Sequence, residues 1–170
     1  MKVIFLDIDG VLNSDRSFMA HKLDPLLLAT ERPDQQVDNC IDPIAVALLN
    51  LVLRHDVKVV VSSTHRKFFP QLPDLKRYIR ALGVQGEVIG ATPDLWKVAD
   101  IGEATRGHEI DAWLDEHGAG FTHFAIIDDD SDMLAHQLPF FVHVNGRFGL
   151  GREHVAQLQR LLDLPEPLWD

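Results

Sequence analysis

Two carboxylates stand one residue apart behind an apolar run: Val3-Ile4-Phe5-Leu6 leads into Asp7-Ile8-Asp9-Gly10. An apolar run of this length, closed by a glycine, predicts a strand buried on both faces. Ligands of open α/β sheets collect at the carboxyl ends of strands. Two acids at such an end lose solvation, which costs free energy unless a cation compensates them. The residue types therefore ask for a metal and for chemistry that uses it. Two further strand-like runs end in polar groups. Val57–Val61 runs into Ser62-Ser63-Thr64, and residues 121–127 run into Asp128-Asp129-Asp130. Parallel strands of one sheet bring such ends to a common edge, and acids with a hydroxyl beside them suit Mg²⁺. Arg106 opens a helix upstream of the fourth strand and can reach the same edge; Lys97 is the competing cation.

The elements that must hold these groups alternate along the chain. Strands are predicted over residues 3–8, 57–61, 87–90, 121–127 and 140–144. Asp42-Pro43 opens a helix as N-cap and first-turn proline, and the stretch that follows, to Arg54, is apolar nearly all round. Leu72, Leu75, Ile79 and Leu82 trace a helical stripe closed by Gly83. Ile110, Trp113, Leu114 and His117 mark another helix, ended by Gly118, and Val155, Leu158, Leu161 and Leu162 mark the last. Residues 14–41, with Pro25, Pro33 and a polar stretch, read as an irregular loop or flap. Alternating β and α units imply a mostly parallel sheet with helices on both faces.

Composition sets bounds. A chain of 170 residues reads as one domain with room for a core, and 46% hydrophobic content excludes wholesale disorder. A net charge of −10 argues against a broad nucleic-acid-binding face, although it leaves room for a local phosphate pocket. Cys40 is alone, so no disulfide framework exists and a reducing compartment is expected. The first apolar stretch stops at Asp7, too early for a signal peptide, and no run approaches membrane-spanning length. The expectation is a soluble cytoplasmic protein with no membrane partner.

Asp7-Ile8-Asp9-Gly10-Val11-Leu12-Asn13, then Ser62 after a strand, then Arg106-Gly107-His108-Glu109-Ile110, then Ile127-Asp128-Asp129-Asp130-Ser131-Asp132 resembles the four ordered motifs of the haloacid dehalogenase (HAD) superfamily. The narrower pattern, with Ser-Ser-x-x-Arg at Ser62–Arg66, resembles the HAD domains of RNA-repair-type proteins; His65 stands where that group tends to carry Trp. The resemblance implies a three-layer, Rossmann-like α/β core of about five strands. It also implies an Mg²⁺-dependent phosphomonoester hydrolase working through an aspartyl-phosphate. Asp7 would be the nucleophile and Asp9 the general acid and base. Ser62 would hold the phosphoryl group and Arg106 would counter its charge. The metal would rest on Asp7, Asp9 and Asp128, supported by Asp129 and Asp132. Gly10, Asn13, Ser63 and Arg66 complete the expected substrate contacts.

Each assignment has a plainer rival. Asp7 and Asp9 can be a polar strand end bonded to loop amides. Ser63 or Thr64 can replace Ser62 as the phosphate donor, and Arg106 can pair only with Glu103 or Glu109 on the surface. The triple Asp can be a solvated turn, and the basic residues from His65 to Arg80 a solvated helix face. Neither long gap has room for a full cap domain, which suits an open site and a large phosphorylated substrate such as a nucleic-acid end. Two alternatives stand beside this: a phosphatase of nucleotides or other small molecules, and a non-catalytic HAD-like binding module.

Overall fold

The computed structural model describes residues 1–23, 40–95 and 104–166. Five strands form one all-parallel sheet: β1 (Lys2–Leu6), β2 (Val57–Val61), β3 (Val88–Ala91), β4 (His123–Asp128) and β5 (Phe141–His143), in the order β3-β2-β1-β4-β5. The chain builds outward from β1 through β2 to β3, then returns to the other side of β1 for β4 and β5. The order therefore reverses between β1 and β4, where open α/β sheets open a crevice at the strand ends.

Five helices flank the sheet among the described residues: α1 (Asp15–Leu23), α2 (Pro43–Leu53), α3 (Leu72–Ala81), α4 (Arg106–His117) and α5 (Arg152–Leu161). Strand alternation splits the core into two layers. Ile4 and Leu6 join Val59 and Val61 against Leu49, Ile79 and Leu158 of α2, α3 and α5. Val3, Phe5 and Val60 face Ile110 and Trp113 of α4, where the Trp113 ring meets Phe5 edge-on at 5.5 Å. The predicted buried strand is borne out: Val3 through Leu6 are fully inaccessible.

The helix starts follow from local chemistry. The Asp42 carboxylate accepts from the Ile44 amide at 2.8 Å, with Pro43 in the first turn. Gly83 closes α3 at φ +93°. One element departs from the sequence reading, since α1 occupies the start of the segment taken as irregular. Ser14 and Ser17 cap each other reciprocally: the Ser14 amide donates to Ser17 Oγ at 2.8 Å, and the Ser17 amide to Ser14 Oγ at 3.2 Å. This is a capping box with serine in place of the usual Glu or Gln, on a helix with no continuous apolar stripe, so neither signal was legible. The rest of the expected flap, residues 24–39, lies outside the described residues, as do Trp96, Lys97 and Glu103. No separate cap layer occurs among the described residues, and no described helix is long and apolar enough to cross a membrane.

Candidate active site

Strand register builds the floor of the site. Leu6 pairs with Val61 on one side and Ile127 on the other. One step further along, Asp7 lies between Ser62 and Asp128. Backbone bonds carry that step, with the Ser62 amide on Leu6 O at 2.8 Å and the Asp7 amide on Ile127 O at 3.1 Å. All three side chains are buried. The Ser62 hydroxyl has no hydrogen-bond partner among the described residues, whereas Ser63 hydrogen-bonds the Asp7 carboxyl. A buried, unpartnered hydroxyl beside Asp7 is what a phosphoryl-group donor needs.

Charge on the floor is out of balance. Buried Asp7, Asp128 and Glu109 meet two guanidiniums. Arg66 is consumed locally: it donates to the Thr92, Ser63 and Pro93 carbonyls and pairs with Glu109 at 2.6 Å. Arg106 is shared three ways, lying 3.2 Å from Glu109, 3.3 Å from Asp128 and 3.9 Å from Asp7. Its Nε and Asp128 Oδ2 are close without hydrogen-bond alignment, so both atoms stay unsatisfied. Burial, then the neighbouring Asp128, push the Asp7 carboxyl well above the usual carboxylate range, against Arg106. Burial pushes the Asp128 carboxyl up to about 7, opposed by the Asp130 amide at 3.0 Å and by Arg106.

A divalent cation fits this set. Carboxylate oxygens of Asp7, Asp128 and Asp129 lie within 4.8 Å of one another, and a cation there would relieve the repulsion that raises the pKa values. Asp129 is held by shape. A Cβ on Gly10 would stand 2.2 Å from its carboxylate, and one on Gly146 would stand 2.4 Å from it. Gly10 also has φ +70°, a conformation other residues adopt at a cost. Burial raises the Asp129 pKa, and Asp130 adds to it.

Asp9 sits at the rim with its side chain half exposed. Its carboxylate contacts His65 Nε2 at 3.1 Å and accepts from Asn13 Nδ2 at 2.9 Å, while Asn13 Oδ1 takes the Gly10 amide at 2.8 Å. Tyr78 Oη meets the other His65 nitrogen at 2.5 Å. The His65 hydrogen bond holds the Asp9 carboxyl below its usual range, against partial burial. Asp9, Gly10, Asn13 and Asp129 line a cleft of about 520 Å³ above the buried acids.

Two expected site residues have internal partners. Arg66, expected as a substrate contact, spends its hydrogen bonds on the Thr92, Ser63 and Pro93 carbonyls and pairs with Glu109. Asp132, expected to support the metal, accepts from the Arg106 amide at 2.9 Å and so caps the start of α4. The surface pairing considered for Arg106 and Glu109 does form, but buried and shared with Asp128. Glu109 and His65 are the residues that sequence reasoning missed. The available signal was Glu109, one helical turn after Arg106 on a helix that packs into the core.

An all-parallel Rossmann-like sheet with Asp7 and Asp128 at adjacent strand ends, a serine after β2 and a basic residue opening the helix before β4 defines a HAD core. The chain belongs to the family described as the HAD domain in Swiss Army Knife RNA repair proteins, which matches residues 3–155. No curated protein and no solved structure matches it. At the level of the family this is a HAD-type hydrolase or phosphatase domain.

Proposed function

We propose that the protein is an Mg²⁺-dependent phosphomonoester hydrolase that works through an aspartyl-phosphate on Asp7 and acts on the phosphorylated end of a nucleic acid or another large molecule. The observation that carries this reading is the shared Arg106. Arg106 is divided among Asp7, Asp128 and Glu109, and of these only Glu109 has a second arginine, which leaves negative charge for a cation beside the buried Ser62 hydroxyl.

Bound by Asp7, Asp128 and Asp129, Mg²⁺ would neutralise phosphate charge so that a carboxylate can approach. An Asp7 oxygen attacks phosphorus as the ester oxygen leaves. Ser62 donates to a phosphoryl oxygen, and Arg106, released in part from Asp128, stabilises the charge that develops. Asp9 gives a proton to the leaving oxygen, then takes one from the water that opens the acyl-phosphate. Its lowered pKa favours the second task at neutral pH. The incoming phosphate works in the opposite direction, raising its proton affinity for the first. Gly10 and Asn13 hold the Asp9 loop in place. The family's RNA-repair description and the lack of a cap layer among the described residues support a large substrate.

Release of phosphate from para-nitrophenyl phosphate tests the reaction. Turnover should require Mg²⁺ and should fall by at least about 10³-fold in Asp7→Asn, since the nucleophile is lost. Equal turnover in that variant, or none in the native protein, sinks the enzymatic reading in favour of a binding module.

A further inference from the structure

A second groove adjoins the catalytic cleft. It measures about 830 Å³, runs between α1 and the loop at residues 145–149, and is lined by Arg16, Phe18, Met19, Lys22, Arg147 and Phe148 together with Asp15. Asp15, Phe18 and Arg147 line both spaces, so the groove opens directly onto the cleft that contains Asp9 and Asp129.

The groove is braced from within. The Asp15 and Arg16 amides donate to the Gly146 and Arg147 carbonyls at 3.1 and 3.2 Å, which ties the start of α1 to the loop. Within the loop, the Phe148 amide donates to Asn145 O at 2.8 Å and the Arg147 amide to Asn145 Oδ1 at 3.0 Å. This turn presents Arg147 and Phe148 outward. Phe148 is 64% exposed and Met19 57%, which places two apolar side chains on the groove wall. Arg16, Lys22 and Arg147 are exposed, and none pairs with a carboxylate among the described residues. Three cations in one groove, with no carboxylate partner among the described residues, run against a net charge of −10.

We infer that this groove holds a single-stranded nucleic-acid segment leading to the terminal phosphate, with a base stacked on Phe148 and backbone phosphates on Arg16, Lys22 and Arg147. The inference rests on the phosphohydrolase reading and names its substrate side. Cations that track a backbone, interleaved with an exposed aromatic that accepts any base, are what single-strand binding without sequence preference requires. The −10 charge, which argues against a broad nucleic-acid-binding face, is compatible with one local basic groove.

The test uses the native full chain. Binding of a fluorescein-labelled, 3′-phosphorylated single-stranded oligonucleotide is read by anisotropy in EDTA across a salt series. Three phosphate contacts predict a slope of log affinity on log salt of roughly −2, at about 0.7 per neutralised phosphate. Arg16→Ala/Lys22→Ala should cut the slope to roughly −0.7, and Phe148→Ala should weaken binding about tenfold. With Mg²⁺ present, the ratio of kcat/KM for the oligonucleotide to that for para-nitrophenyl phosphate should fall about tenfold or more in the Arg16/Lys22 variant. A salt slope near zero in the native protein overturns the inference and needs no folded variant. So does an unchanged ratio in the groove variants, or tighter binding of a phosphopeptide of equal charge at the same residues. Oligonucleotide binding through these residues without hydrolysis of any phosphoester supports the groove and sinks the phosphohydrolase reading instead.

Discussion

The floor of the site and its rim use arginine in opposite ways. On the floor, Arg66 and Arg106 lie among buried carboxylates, and every contact is made inside the protein. On the rim, Arg16 and Arg147 face solvent with no partner among the described residues. Desolvation makes floor charges strongly coupled, so they set pKa values and must be balanced. Rim charges are screened and nearly independent, which suits recognition and contributes little to folding. On the proposed function, the chemistry belongs to the floor and recognition to the rim. Asp9 stands between them, half exposed but held by His65.

The largest break in that comparison should come from Asp9→Asn. Loss of the acid and base should lower kcat about 10²- to 10⁴-fold with KM little changed. A change confined to KM would place Asp9 with the rim. Arg66→Ala should come next, because it leaves Glu109 buried and short of its closest counter-ion. Urea denaturation should show a loss of about 3–5 kcal/mol, while Arg16→Ala should stay within about 0.5 kcal/mol. Similar losses at the two sites would erase the distinction.

The smallest effect is the sharpest test of the buried acids. Asp7 and Asp128 have raised pKa values, so without metal the folded state keeps protons that the unfolded chain releases. Stability then falls as pH rises from the ordinary carboxylate range through about 7. A divalent cation needs the ionised acids, so its benefit grows over the same window. Saturating Mg²⁺ should raise Tm by about 5 °C or more at pH 8 and by far less at pH 5. An equal shift at both values would mean that the cation binds elsewhere.

Much of the fold was legible because it is encoded locally. Buried parallel strands require unbroken apolar runs, and helix ends require caps, so β1, β2, α2 and the closure of α3 at Gly83 could be read directly. The boundaries of β1, β3, β4 and β5 shifted by one or two residues, where ladder pairing rather than side-chain pattern decides the end. The first turn of α1 stayed hidden because its serine pair departs from the familiar capping box. In the site, Asp7, Ser62, Asp128 and Asp129 converge from strand ends and Arg106 joins them from the start of α4.

The sequence by itself determined which residues stand at the ends of which strands, since alternating apolar runs and the order of the motifs leave few other placements. Tertiary structure alone decided how the charges are divided. Arg66 became an internal strut, Asp132 a helix cap and His65 the partner of Asp9, and α1 came to wall a cationic groove. The reason is that a charge takes its energy from burial and from partners far along the chain. Arg66 meets Glu109, Asp9 meets His65, and Arg106 meets Asp128 only after the sheet and its helices have packed.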